Sequence, residues 1–370
     1  MVSLEPLKHV SDLHVLWQQL QPLSQHSFFQ SWHWIGNWLD CLPKSIPLHV
    51  LKVSDHDRVV AAGIVSYVRH VRHGVLPVRT LHLQATGSED FDCISAEYGN
   101  LLVSRGHEHS AWGEVLEFFR RERTDWDEFV VEGARLDCLH TLAATNLAVR
   151  TLHSDRTFYS ELSAARETAH QSCISLLGPR TRSKVRSTRR GIESRIGKIK
   201  LTTASSVDEA QRFLDGLKQL HQRRWNGRGD GGAFTRPFFE QFHRHLIDTR
   251  FHDGVLQLAR IDAGEAILGY VYNFVHQGRV YFYQSGIDYD LTKHNESPGL
   301  LIHCLMMDHN ARLGHATYDM LAGGGQYKRG LTTHSEELKW VAIQQPRMKL
   351  AVERVARSLH DRLKKSTLHL

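Results

Sequence analysis

Between Phe29 and Asp40 the segment FQSWHWIGNWLD places Trp34 and Trp38 four positions apart, the spacing of one helical face. The LHVLKV that follows alternates apolar and polar positions as a half-buried strand does. The same order returns later, where FTRPFFEQFHRHLID sets Phe238, Phe242 and Leu246 at helical spacing and VLQLARI reads as a strand. Phe29 precedes Val50, and Phe234 precedes Val255, by the same 21 positions. SDHDRVVAAGIVSYV and DAGEAILGYVYNFV each predict a tight turn opening into a long strand, with Gly63 and Gly269 at similar depths. A period of about 205 residues predicts a tandem duplication, against the plainer reading that any helix followed by a hairpin looks this way.

The second half continues with a strand, RVYFYQSGI, the polar loop DYDLTKHNE and a punctuated helix. Ser297 is placed to cap it, Pro298 suits its first position, Leu300, Leu301, Cys304 and Leu305 form its core face, and Gly314 stops it. A further strand, ATYDML, ends in Gly323, Gly324 and Gly325. Between the halves, Phe158 to Thr203 reads as helical, with Val185, Ile192 and Ile196 on a narrow apolar stripe. The next helix starts at Ser206 with a capping box to Glu209 and turns Val207, Ala210, Phe213, Leu214 and Leu217 inward. It runs into LHQRRWNGRGDGGAF, a glycine-rich stretch expected at a domain edge or substrate mouth. From Arg347 on, Val352, Val355, Leu359 and Leu363 recur at helical spacing and predict a terminal amphipathic helix packed on the globule.

Charge changes this picture at one place. The 370 residues carry 46 Lys and Arg against 40 Asp and Glu, a net charge of +6. Arg180, Arg182, Lys184, Arg186, Arg189, Arg190, Arg195, Lys198 and Lys200 face one acid, Glu193, so the excess belongs to one helix and the rest of the chain is slightly acidic. Arg182, Arg186, Arg189 and Arg190 share a stripe that reads as a solvated face, as a site for phosphate or another anion, or as a contact for tRNA. Nucleic-acid binding as the main activity is disfavoured by the acidic remainder.

No apolar run spans a bilayer and the N-terminus lacks signal-peptide regions, which places the protein in the cytoplasm, without integral membrane contact. Cys41, Cys93, Cys138, Cys173 and Cys304 never form a CxxC pair and read as reduced thiols. The 26 histidines make no HExxH spacing, so no metal is expected, and no GxSxG elbow or phosphate-binding P-loop is present.

LHQRRWNGRGDGGAF, VYFYQSGID, SPGLL and YDMLAGGGQYKRG, in this order, resemble the CelD/BcsL type of GNAT acyltransferase, whose members are similar to the Fem-type peptidoglycan aminoacyltransferases. The likeness covers Phe158 to Trp340 best. Ala322, Gly323, Gly324 and Gly325 stand where the family usually has an arginine and an acid, and the loop before Ser297 lacks the glycine-rich form of ordinary GNAT enzymes. The resemblance implies an α+β fold of two tandem GNAT-like domains with bridging helices. The first, acceptor-side domain would be 1–157, the acyltransferase domain with basic helix 180–200 would be 158–345, and the terminal helix 346–370.

It implies transfer of an acyl group from acyl-CoA, most simply acetyl-CoA, to an amine on a sugar, peptide or other small-molecule acceptor, in polysaccharide or cell-envelope biosynthesis. A tRNA-dependent aminoacyltransferase and a non-catalytic accessory protein of exopolysaccharide assembly are the alternatives. Ser297, Pro298, Gly299 and Leu300 would cradle the donor pyrophosphate at a helix N-terminus, with Gln284 beside them. Lys328 would stabilise the oxyanion, against the plain reading of a surface lysine. Asp319, expected at a strand end facing the cleft, would take the amine proton or orient the acceptor, or else satisfy backbone N–H groups. Tyr327 is a candidate proton donor and Tyr283 a weaker one. Trp225 and the four arginines would bind substrate, and Asp288 and Glu296 are loop acids that are either bases or merely solvated.

Overall fold

The computed structural model describes residues 1–122, 124–135, 147–166, 172–226, 231–323 and 325–367, without the side chains of residues 165, 166, 326 and 358–367. Cys138, Gly324, residues 227–230 of the glycine-rich stretch and the side chains of Leu359 and Leu363 therefore lie outside the described residues. In chain order the elements are β1 (Val2–Pro6), α1 (Val10–Leu20), α2 (Trp32–Cys41), β2 (Leu48–Asp55), β3 (Arg58–Arg72), β4 (Leu76–Leu83), α3 (Glu89–Asp92), β5 (Leu102–Val103), α4 (Glu108–Arg121) and β6 (Glu128–Arg135). Then come β7 (Ala148–Glu161), α5 (Leu162–Arg166), α6 (Pro179–Arg195), β8 (Ile199–Thr203), α7 (Val207–Trp225), α8 (Pro237–Arg250), β9 (Leu256–Ala263), β10 (Ala266–His276) and β11 (Arg279–Ile287). The chain ends with α9 (Pro298–Arg312), β12 (Thr317–Ala322), α10 (Gln326–Leu331), β13 (His334–Gln344) and α11 (Met348–Thr367). The fold is α+β, and it divides into two compact units: Met1–Ile35, Leu42–Ser154 and Leu338–Leu370 form one, Gly36–Cys41 and Asp155–Glu337 the other.

In the first unit β1, β2, β3 and β4 pair antiparallel in sequence order, β4 then pairs parallel with β6, and β6 pairs antiparallel with the later part of β13. Ala111, Trp112, Val115, Leu116 and Phe119 recur at three- and four-residue spacing on α4 and pack on Leu81, Leu83, Phe129 and Val131. The opposite side holds a buried ion network, in which Arg72 bonds both Glu128 and Glu353 and Gln344 bonds Glu128. The terminal helix α11 is anchored through this network and through buried Leu350, whereas Val352 and Val355 are exposed. Val352 and Val355, expected to dock that helix, are thus not its docked residues; a buried carboxylate paired to Arg72 anchors this part of the helix.

The second unit repeats the plan. β8, β9, β10 and β11 pair antiparallel, β11 pairs parallel with β12, and β12 pairs antiparallel with the end of β7. Val185 and Ile192 of α6 and Leu301, Cys304, Met306 and Met307 of α9 form one core with Val271, Val280, Phe282, Tyr318 and Met320. The end of β7 and all of β8 lie within the stretch read as helical from Phe158 to Thr203. Both are strands at sheet positions whose partners, Thr317–Ala322 and Ala259–Ala263, lie far along the chain, so local periodicity carries no trace of the pairing.

Candidate active site

β11 and β12 are paired only through Arg279, Val280 and Tyr281 against Thr317, Tyr318 and Asp319. Beyond that point β11 runs on to Ile287 and β12 to Ala322 without pairing to each other, so the two strands part into a wedge. Each wall carries an irregularity that turns it. On β11, Gln284 opposes Tyr272 and Phe282 opposes Asn273, leaving Tyr283 as the extra residue of a bulge. On β12, Asp319 opposes Tyr159 and Ala322 opposes Thr157, and Leu321 takes the left-handed conformation at φ 58°. A leucine held there is strained, and the strain must be compensated by its surroundings.

Asp319 supplies that compensation. It has no exposed surface; its Oδ1 accepts from Leu321 N at 2.8 Å and Thr157 Oγ1 at 2.9 Å, and its Oδ2 accepts from Arg279 Nε at 2.9 Å. The expectation of a carboxylate at a strand end facing the cleft is corrected: Asp319 sits inside the sheet at the vertex of the wedge, ion-paired and committed to the kink. Lys328, on α10, closes the other side of the kink. The residue is almost fully buried, and its Nζ donates to Leu321 O at 3.1 Å and Ala322 O at 2.5 Å. Gly323 has φ 121°, and any Cβ there would stand 3.1 Å from Lys328 Nζ, so the glycine leaves the ammonium its place.

Aromatic rings line the wedge. His303 of α9 meets Phe282 edge-on at 4.4 Å and stacks on Tyr327 at 5.8 Å between centroids. Burial, with a smaller contribution from Lys328, drives the His303 imidazole down to about 3, so it is neutral. On the other side of β11, the bulged Tyr283 places its hydroxyl 3.1 Å from Nε2 of His243, which burial likewise drives to about 3. An unfolded chain protonates both near their ordinary value of about 6.5, and the folded state does not until far lower. Stability contributed by these neutral rings is complete above pH 6.5 and is lost as pH falls from 6.5 toward 3, by up to about 1.4 kcal/mol per pH unit for each histidine. We expect the melting temperature to fall between pH 7 and 5, and His303→Phe to flatten that slope; an unchanged slope would show that His303 is protonated when folded.

At the mouth, Tyr327 and Tyr289 are about two-fifths exposed, and Arg224 lies over the Tyr289 ring at 4.2 Å. Burial, together with Tyr289, raises the Tyr327 phenol above its ordinary value, against a smaller opposing effect of Arg224. Trp225 is also two-fifths exposed and lies beside His221, next to Arg224 in the chain. Asp288 bonds Arg223, and Glu296 is held below the ordinary carboxylate range by its hydrogen bond to Arg195, so both loop acids are ion-paired rather than poised as bases.

The loop from β11 leads to α9, whose first position is Pro298. Ser297 makes no side-chain cap, contrary to expectation, because its backbone (φ −130°, ψ 74°) lies off the extended geometry that a capping serine adopts. Its own N–H donates instead to Thr188 Oγ1 of α6 at 3.0 Å. The first-turn amides of Gly299 and Leu300 are left without a side-chain cap, at the positive end of a helix 15 residues long. α6 is fastened along this loop by Lys184 to Asn295 O at 2.6 Å and by Arg195 to Glu296 at 2.6 Å. Its other flank presents the predicted arginines, and Pro179, Arg182, Ser183, Arg186, Arg189 and Arg190 line a depression of about 640 Å³.

The structure thus gathers Lys328, Tyr327 and Asp319 around one wedge. Gln284 lies on its β11 wall with Oε1 accepting from Ser285 N, and Ser297 to Leu300 stand beyond the end of that strand. His303, Arg279 and His243, the partner of the weaker candidate Tyr283, were not singled out as site residues from the sequence. The one available signal for His303 is a lone polar residue in the apolar run LLIHCLMM.

The first unit has a corresponding parting. β4 pairs with β6 only through Thr80, Leu81 and His82 against Glu128, Phe129 and Val130, after which β4 ends. Here the vacated edge is taken by the unit's own chain: Gly99 N donates to Glu132 O at 3.0 Å, β13 occupying the other edge of β6. A Cβ on Gly99 would come within 2.0 Å of that oxygen, so only glycine allows the approach.

Residues 179–329 match the model of the acetyltransferase (GNAT) domain. That segment runs from the start of α6 to Arg329 and contains the whole wedge. FemX is similar in structure, with a TM-score of 0.56 at 10% identity over 90% of this chain and 96% of that chain. L-PGS from Bacillus licheniformis gives 0.55 at 10% identity over 95% and 97%, and a conserved protein of unknown function from Bacteroides thetaiotaomicron VPI-5482 gives 0.55 at 9% over 93% and 100%. These likenesses speak to the fold alone. No curated protein matches the chain. Among the described residues no helix is long and apolar enough to cross a membrane.

Proposed function

We propose that the second unit is an N-acyltransferase that takes its acyl group from a CoA thioester and delivers it to a primary amine. The observation that carries this reading is the parting of β11 and β12 within the matched GNAT segment, with an uncapped helix N-terminus beyond it. A slender pantetheine arm fits between parting strands, where backbone groups no longer paired to a neighbour can hydrogen-bond its amides. The amides of Gly299 and Leu300 suit the pyrophosphate. A Cβ at Gly299 would only touch Ile287 at 3.5 Å, so space there is open.

The reaction joins the amine nitrogen to the thioester carbonyl, breaks the carbon–sulfur bond and moves one proton from nitrogen to sulfur. Tyr327, exposed at the mouth with a raised phenol, is proposed to give the departing sulfur its proton and to regain one from the acylated nitrogen, and Tyr283, fixed by His243, to accept a hydrogen bond from the amine. Lys328 is proposed to hold the β12 kink in register with the carbonyl and to lend positive potential to the developing oxyanion. Asp319 acts through Leu321 and Arg279, as a positioning group. Trp225 and Tyr289 would form the acceptor rim. The Fem-type resemblance of the sequence makes an aminoacyl donor carried on tRNA the second reading.

Incubation with a panel of acyl-CoA thioesters and amine acceptors, followed by thiol release and product mass, tests the proposal. Absence of both thioester binding and product would sink it, and activity abolished by ribonuclease would select the tRNA reading. Gly299→Glu places a carboxylate in the first turn of α9, where the helix dipole favours it by about 0.3–1 kcal/mol. We expect stability to be kept or slightly raised while CoA affinity drops at least about tenfold from charge repulsion, measured by calorimetry beside thermal melting.

A further inference from the structure

Arg182, Arg186, Arg189 and Arg190 crowd one flank of α6, although like charges three and four positions apart disfavour a helix by a few tenths of a kcal/mol per pair. Little in the chain relieves them. Arg189 pairs with Glu193 at 3.1 Å and Arg182 reaches Ser175 O at 3.5 Å, but Arg186 and Arg190 have no acidic partner among the described residues. The contrast with the other flank of the same helix is sharp, since Lys184 and Arg195 are both committed to the loop before α9. The four arginines also line the depression of about 640 Å³, with Pro179 and Ser183 and no carboxylate. Thr188, which binds the backbone of Ser297, lies within one helical turn of Arg186, Arg189 and Arg190. The cationic flank therefore belongs to a helix whose opposite flank is fastened to the loop and N-cap residue before α9.

Resting on the acyl-CoA reading, we propose that this groove holds the 3′-phosphate at the nucleotide end of the donor. The enzyme then selects a CoA thioester over the same acyl group on the pantetheine arm of a carrier protein, which lacks that phosphate. A phosphomonoester is close to dianionic at neutral pH, and Arg186 with Arg190 offers two adjacent planar forks to such a group. α6 has no aromatic residue on which RNA bases could stack, and its arginine flank carries only Pro179 as an apolar residue, too little to enter a lipid surface. Both features favour a compact phosphate over a polynucleotide or a membrane.

The test compares CoA, dephospho-CoA and adenosine 3′,5′-bisphosphate by calorimetry on the full chain and on Arg186→Gln/Arg190→Gln, with circular dichroism and melting to confirm that the variant is folded. The expected result is at least tenfold tighter binding of CoA than of dephospho-CoA by the wild type, a difference that shrinks in high salt and vanishes in the variant. The bisphosphate should displace CoA from the wild type. Equal affinity of the wild type for CoA and dephospho-CoA, or discrimination retained by the variant, overturns the groove assignment while leaving the acyl-CoA reading intact. Failure of CoA to bind at all overturns both, as would an RNA oligonucleotide that binds the wild type, but not the variant, where CoA does not.

Discussion

Asp319→Ala should destabilise the second unit by about 3–5 kcal/mol, the cost of stripping one partner from a buried ion pair. Three interactions fail together in that variant: the guanidinium of Arg279 loses its carboxylate, Thr157 loses its acceptor, and the strained Leu321 loses the bond to its N–H. Arg279 would keep its stacking over Tyr159 at 4.8 Å and its approach to the Tyr281 ring at 5.8 Å, neither of which neutralises its charge. Asp319→Asn keeps the shape and the acceptor for Leu321 but not the charge, and should recover part of the loss. Denaturant melts of both variants measure this. If Asp319→Ala cost less than about 1 kcal/mol, the carboxylate would not be holding the kink, and its role as a base would have to be reopened.

Lys328→Met should have the largest effect on turnover. Methionine keeps the volume of the buried stem but leaves the carbonyls of Leu321 and Ala322 without their shared donor, at about 1–3 kcal/mol for groups out of water. If Lys328 also stabilises the oxyanion, kcat falls about 10²–10³-fold with KM nearly kept, the scale seen when a single oxyanion donor is removed. Lys328→Arg separates the two roles: it retains charge but cannot place one compact ammonium between both carbonyls beside Gly323. A Lys328→Met enzyme whose loss lies wholly in stability, with kcat unchanged, would restrict the lysine to a structural part.

The repeat and the punctuated second half were legible because their signals are local. Strand β11 coincides with RVYFYQSGI, α9 begins at Pro298, and Gly314 follows it in the left-handed region at φ 89°. The arginines of α6 share a flank because helical spacing alone puts them there. What escaped depends on partners far along the chain. Thr157 and Asp319 meet across 162 positions, and no pattern near either residue announces the other. Ser297 looked like a cap from its type and place, but Thr188 on another helix holds its backbone and sets a different geometry. Asp319 looked available because an acid near a strand end is usually exposed; the kink at Leu321, invisible in a run of ordinary residues, takes it inside.

The filling of the first unit's parting by Gly99 has a thermodynamic consequence. A ligand stabilises only the state that binds it, by about 2.7 kcal/mol at a hundredfold excess over Kd. Two halves built to one plan should then answer a donor unequally: melting of the second unit moves upward as donor is added, melting of the first stays where it was, and titration saturates at one equivalent per chain. On the proposed reading the first unit's own backbone at Gly99 stands where donor would enter, so its stability should not follow how much substrate the cell holds.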